Sequence, residues 1–67
     1  MDLYSYRLAL DTITELAKNK KTGKPSELAK KFKISERTLR RMLATLREMD
    51  INIIYCRIHN SYIIQKQ

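Results

Sequence analysis

Ser26-Glu27-Leu28-Ala29-Lys30-Lys31-Phe32-Lys33-Ile34-Ser35-Glu36-Arg37-Thr38-Leu39-Arg40-Arg41-Met42-Leu43 carries two helical patterns with a break between them. Leu28, Ala29 and Phe32 share one face of a short unit that opens behind Pro25. Proline suits a first helical turn because its missing N–H has no partner there anyway. Lys33-Ile34-Ser35 interrupts the pattern, and Ser35 is a good N-cap, since its hydroxyl accepts from a free N–H of the following turn. Beyond it Leu39, Met42, Leu43, Leu46 and Met49 mark the buried face of a longer helix that ends near Asp50. Two helices that cross steeply need a small residue at their closest approach. Ala29 supplies it, and Ile34 in the turn fills the gap between them. Arg37, Arg40, Arg41, Ala44 and Glu48 are left facing outward at steps of three and four. Folding does not require three arginines there.

Upstream of this stretch, Leu3, Tyr6, Ala9, Leu10, Ile13, Leu16 and Ala17 form the stripe of an amphipathic helix, with Asp2 as its cap. Tyr4 and Leu8 fall on the opposite side. The only Gly and the only Pro sit together in Lys20-Lys21-Thr22-Gly23-Lys24-Pro25, the one strong break in the first fifty residues. Thr22 to Lys24 is a candidate edge strand. Downstream the period changes. Residues 53–58 are rich in β-branched and aromatic side chains, His59-Asn60 reads as a two-residue turn, and residues 61–64 return as a second strand. The expected order is a helix over about 2–19, a helix over about 25–32, a helix over about 35–50 and a hairpin over about 53–65. That is a mainly α class with a small β-hairpin, read as one domain over residues 1–67.

Sixty-seven residues leave no room for a second core. A chain of this size buries only about 60 % of the surface exposed when it is unfolded. Disulfides, a metal or a partner often make up the deficit. Cys56 is the only cysteine and His59 the only histidine, so an internal disulfide and a structural zinc site are both excluded. The same count leaves no Ser/His/Asp or Cys/His set, and no Gly-rich phosphate loop is present, so neither an enzyme nor a cofactor is expected. Fourteen basic residues against seven acidic ones give a formal charge of +7, which points to a polyanion as partner. No apolar run is long enough for a transmembrane helix, and the first residues lack the pattern of a signal peptide. With one unpaired cysteine, the cytoplasm is the expected compartment.

The stretch from Ser26 to Leu43 resembles the helix-turn-helix of bacterial transcription regulators. With a helix before it and a hairpin after it, residues from about Tyr6 to Ile64 look like a winged helix. One departure stands in the turn, where many family members have Gly and this chain has Lys33. Gly tolerates a left-handed backbone there without steric cost. The wing is also short. In such domains the second helix of the pair docks in the major groove with its N-terminal half nearest the bases. The resemblance therefore makes Ser35, Glu36, Arg37, Thr38, Arg40 and Arg41 the candidate DNA-contacting residues. Arg37, Arg40 and Arg41 are placed for guanine or phosphate, and Ser35 and Thr38 for phosphate or capping. The competing reading pairs these arginines with Glu36, Glu48 and Asp50. Lys30, with the lysines at 18, 20, 21, 24, 31 and 33, reads as an electrostatic surface that positions the protein without specifying bases. Ser26 at a helix start is a candidate phosphate anchor. Arg57, His59 and Asn60 are the polar groups of the wing tip.

Alternation places Ile53 and Tyr55 on one face of the hairpin and Ile54, Cys56 and Ile58 on the other, with Tyr62 and Ile64 alternating with Ile63. A hairpin over a small core should be apolar on one face only. Here both are. Tyr4, Leu8, Ile54, Cys56, Ile58 and Ile63 are therefore candidates for the interface of a homodimer or with a partner protein. A symmetric dimer would read two-fold symmetric sites. The functional expectation is sequence-specific binding of double-stranded DNA by a small transcription regulator. The alternative is a winged helix that docks proteins within a larger assembly. A membrane surface is not the expected partner, because the basic residues do not follow one continuous amphipathic helix.

Overall fold

The structure is a computed structural model that describes residues 3–65. Its order is α1 (Leu3–Lys18), α2 (Pro25–Lys31), α3 (Glu36–Glu48), β1 (Ile53–Cys56) and β2 (Ser61–Ile64). The strands form a two-stranded antiparallel sheet. Three helices followed by a hairpin make a winged helix. The cap expected at Asp2 and the side chain of Tyr4 lie outside the described residues.

The apolar stripes meet in one core. Ala9, Leu10, Ile13 and Ala17 of α1 pack with Leu28 and Ala29 of α2 and with Leu39, Met42, Leu43 and Leu46 of α3. Ile53 and Tyr62 close the core from the hairpin, and Phe32 and Ile34 pack against it from the turn. At α3 the Ser35 hydroxyl accepts from the Thr38 N–H, as its place before the apolar run predicts.

All three helices stop the same way. Lys20, Lys33 and Asp50 have φ of 56°, 55° and 63°, each one residue past its helix cap. Lys20 N–H donates to Ala17 O and Lys21 N–H to Leu16 O; Lys33 N–H donates to Lys30 O and Ile34 N–H to Ala29 O; Asp50 N–H donates to Arg47 O and Ile51 N–H to Leu46 O. Each pair of bonds is a Schellman motif, which satisfies carbonyls the helix end would otherwise leave open. Glycine is the usual residue at such a left-handed position, yet none of the three is glycine. Lys33→Gly and Asp50→Gly are each expected to stabilise the domain by about 0.5–1 kcal/mol, net of the extra chain entropy of glycine. Together they should raise the thermal midpoint by roughly 5–10 °C. Circular dichroism melts check this, and a midpoint that falls for both would refute it.

Three sequence expectations change. Met49, expected on the buried face of α3, is 46 % exposed. The helix ends at Glu48, the chain reverses through Asp50, and Ile51 takes over the apolar contact that accompanies a Schellman turn. The wing turn has four residues, Arg57 to Asn60, because Cys56 pairs with Ser61. A two-residue turn at His59-Asn60, of type I′ or II′, would need positive φ at His59, and only Asn60, at 49°, has it. Ile58 is therefore a loop residue, 88 % exposed, and not part of a strand.

The third change is at Thr22 to Lys24, which forms no strand. Thr22 is buried instead and reaches the start of β2 through its side chain. Its Oγ1 accepts from the Tyr62 N–H at 2.7 Å and lies 2.9 Å from the Ser61 hydroxyl oxygen. Its own N–H donates to Ser61 Oγ at 3.0 Å. The two hydroxyls have two protons for three acceptors, Gly23 O, Tyr62 O and each other's oxygen, so one of these contacts carries no proton of its own. Side chains thus do here what a third strand would do through its backbone. Gly23, at φ 76°, lets the chain leave this anchor for α2; a Cβ there would stand 2.6 Å from Glu27 Oε2.

Candidate nucleic-acid interface

The candidate interface lies on α3, whose inner face is held by Leu39, Met42, Leu43 and Leu46. With that face fixed, helical spacing turns Arg37, Arg40 and Arg41 outward, and all three are exposed. Among the described residues the one ion pair is Arg7–Asp11 at 3.9 Å, on α1. The competing pairing of these arginines with Glu36, Glu48 or Asp50 is not formed. Their guanidinium groups remain open to an external acceptor.

The other sequence candidates fall into groups. Glu36 is exposed in the first turn of α3, where a carboxylate complements the helix dipole. Ser35 and Thr38 engage each other: Ser35 Oγ donates to Thr38 Oγ1 and accepts from the Thr38 N–H, both at 3.1 Å. Ser26 and Lys30 are exposed on α2, and Arg57, His59 and Asn60 are exposed in the wing turn. His59 Nδ1 lies 3.2 Å from Cys56 Sγ across that turn. Among the described residues no group of three or more His, Cys, Asp or Glu is arranged to hold a metal.

The hairpin is fixed to α3 by a residue the sequence did not mark. Arg47 Nε donates to Ile53 O at 3.1 Å, linking the last turn of α3 to the first residue of β1. Its acceptor is a main-chain carbonyl, which no side-chain pattern announces. Beside it Tyr55 and Tyr62 meet edge to face, with ring centroids 5.1 Å apart and planes at 70°. Burial raises the Tyr62 phenol above its ordinary range, against the opposing pull of the Arg47 and Arg40 charges. The phenol therefore stays neutral at ordinary pH.

A family model described as an HTH domain matches residues 9–57, from within α1 to the start of the wing turn. The chain belongs to the helix-turn-helix domain family. No curated protein and no solved structure matches it. The matched span contains α2, the Lys33 turn and α3 entire, and β2 completes the wing beyond it. As a helix-turn-helix domain the protein has DNA as its partner, and the fold is a binding fold, typically without enzymatic activity. Among the described residues no helix is long and apolar enough to cross a membrane.

Proposed function

We propose that this helix-turn-helix chain acts as a single domain over residues 1–67 that binds duplex DNA sequence-specifically, as a small transcription regulator of the bacterial cytoplasm. The observation that carries this reading is the shared outward face of Arg37, Arg40 and Arg41, exposed and without acidic partners among the described residues. On this reading α3 enters the major groove and the arginines read guanine edges or grip phosphate. Glu36 restricts which bases fit beside them. Ser26 and Lys30 hold phosphate from α2, Ser35 and Thr38 do so from the start of α3, and Arg57, His59 and Asn60 meet the backbone from the wing.

The same proposal includes a homodimer. Ile54 and Ile63 face each other across the hairpin, away from the core and half-buried, with Cys56 on the same face as Ile54. Leu8 is 54 % exposed and Ile58 more so. An apolar outer surface of this kind favours a second copy or another protein. The exposed Ile58 and Leu8 are also what a protein-docking winged helix would use. Selection of bound sequences from a random duplex pool at near-physiological salt separates the readings. A regulator should enrich one motif, and a dimer should enrich it as two-fold related half-sites about 10 base pairs apart. No enrichment together with salt-independent retention would favour docking. Sedimentation that shows a monomer at high concentration would refute the dimer.

A further inference from the structure

Lys20-Lys21-Thr22-Gly23-Lys24 carries three cations in five residues, and no acidic residue occurs between Glu15 and Glu27. The structure turns this composition into a surface. Thr22 is 1 % exposed and pinned to Ser61 and Tyr62, so the loop is anchored by its middle residue. Lys20, Lys21 and Lys24 on either side of it are exposed. None has an ion pair among the described residues. The Glu27 carboxylate accepts from the Lys24 main-chain N–H at 3.4 Å and forms no ion pair with these lysines.

The anchor also sets where the loop lies. Ser61, which Thr22 binds, directly follows Asn60 of the wing turn. The lysine loop therefore lies beside the wing, at the start of β2. Lys20 itself occupies a left-handed position, φ 56°, that glycine would fill without strain. Lys33 and Asp50 share this conformation, so Lys20→Gly removes the charge and relieves the backbone at once.

We propose that Lys20, Lys21 and Lys24 form a phosphate-gripping loop that holds the duplex backbone beside the wing and sets affinity and salt dependence without reading sequence. This rests on the reading of the domain as a duplex DNA binder. The competing role for Lys20 and Lys21 is to complement the C-terminal dipole of α1, which is internal to the fold and independent of DNA.

The test is anisotropy titration of two labelled duplexes of unrelated sequence over a range of salt. It compares the wild type with Lys20→Gly, with the pair Lys21→Gln and Lys24→Gln, and with all three changes together. Removal of one phosphate-binding cation makes the slope of log affinity against log salt shallower by about 0.9, so the triple variant should be shallower by roughly 2–3. Both duplexes should weaken by the same factor. Lys20→Gly alone should raise the thermal midpoint while it weakens binding, an opposition that a dipole role does not produce. A triple variant with the wild-type slope would overturn the loop proposal, and if Arg40→Ala with Arg41→Ala still weakened binding, the DNA reading would survive it. A wild type that binds neither duplex would overturn both.

Discussion

Replacing Arg40 and Arg41 together by alanine is expected to weaken duplex binding by about two to three orders of magnitude while leaving the fold intact. Each well-formed arginine fork on a guanine contributes roughly 1–3 kcal/mol of discrimination, and a tenfold change in affinity corresponds to about 1.4 kcal/mol. Both side chains are exposed on α3, and neither forms an ion pair among the described residues. Their removal therefore breaks no internal salt bridge, and alanine is the better helix former by a few tenths of a kcal/mol. Arg47→Ala is the contrasting variant, because it removes the bond to Ile53 O that fixes the hairpin to α3. Anisotropy titration at one fixed salt concentration, with a melt of each variant, checks the pair. Arg40→Ala/Arg41→Ala binding within a few-fold of wild type would refute the assignment of α3 as the recognition surface.

The largest effect on stability is expected at Thr22. Thr22→Val keeps the shape of the side chain and removes its hydroxyl. That leaves the Tyr62 N–H without its 2.7 Å acceptor and takes away one partner of the Ser61 hydroxyl, both in a buried setting. An unsatisfied buried polar group costs about 1–3 kcal/mol, so the destabilisation should be about 3 kcal/mol. A core this small rarely supplies more than about 3–5 kcal/mol in total. The thermal midpoint should accordingly fall by more than about 10 °C, or the variant should be largely unfolded at ambient temperature. Thr22→Ser retains the hydroxyl and should cost only about 1 kcal/mol for its missing methyl. Equal melting of the valine and serine variants would show that the hydroxyl network is not what holds the α1–α2 loop to the wing.

Much of the candidate site is legible in the chain of residues alone. The face of α3 follows from Leu39, Met42, Leu43 and Leu46: once these are buried, the direction of Arg37, Arg40 and Arg41 is set by the helical repeat. Ser35 as N-cap is legible because capping acts within a few residues, whereas the left-handed backbone at Lys33 follows only from the resemblance to helix-turn-helix domains that have Gly there. Arg47 is not legible, because what it binds is a main-chain carbonyl brought near by the hairpin. Met49 is misread from periodicity because its helical phase is right but the helix stops one residue before it.

By itself, then, the sequence determined three amphipathic helices, the turn between the second and third, the hairpin after them and the outward arginine stripe. Each depends on periodicity or capping among neighbours in the chain. The tertiary structure alone decided the register of the wing, the exposure of Ile58 and the anchoring of the lysine loop. Cys56 pairs with Ser61 because strand pairing and the left-handed Asn60 jointly choose a four-residue turn, a choice no single strand encodes. Thr22 meets Ser61 and Tyr62 across 39 and 40 residues of chain. No local pattern announces a contact at that separation, because it exists only once the core has brought the two ends together.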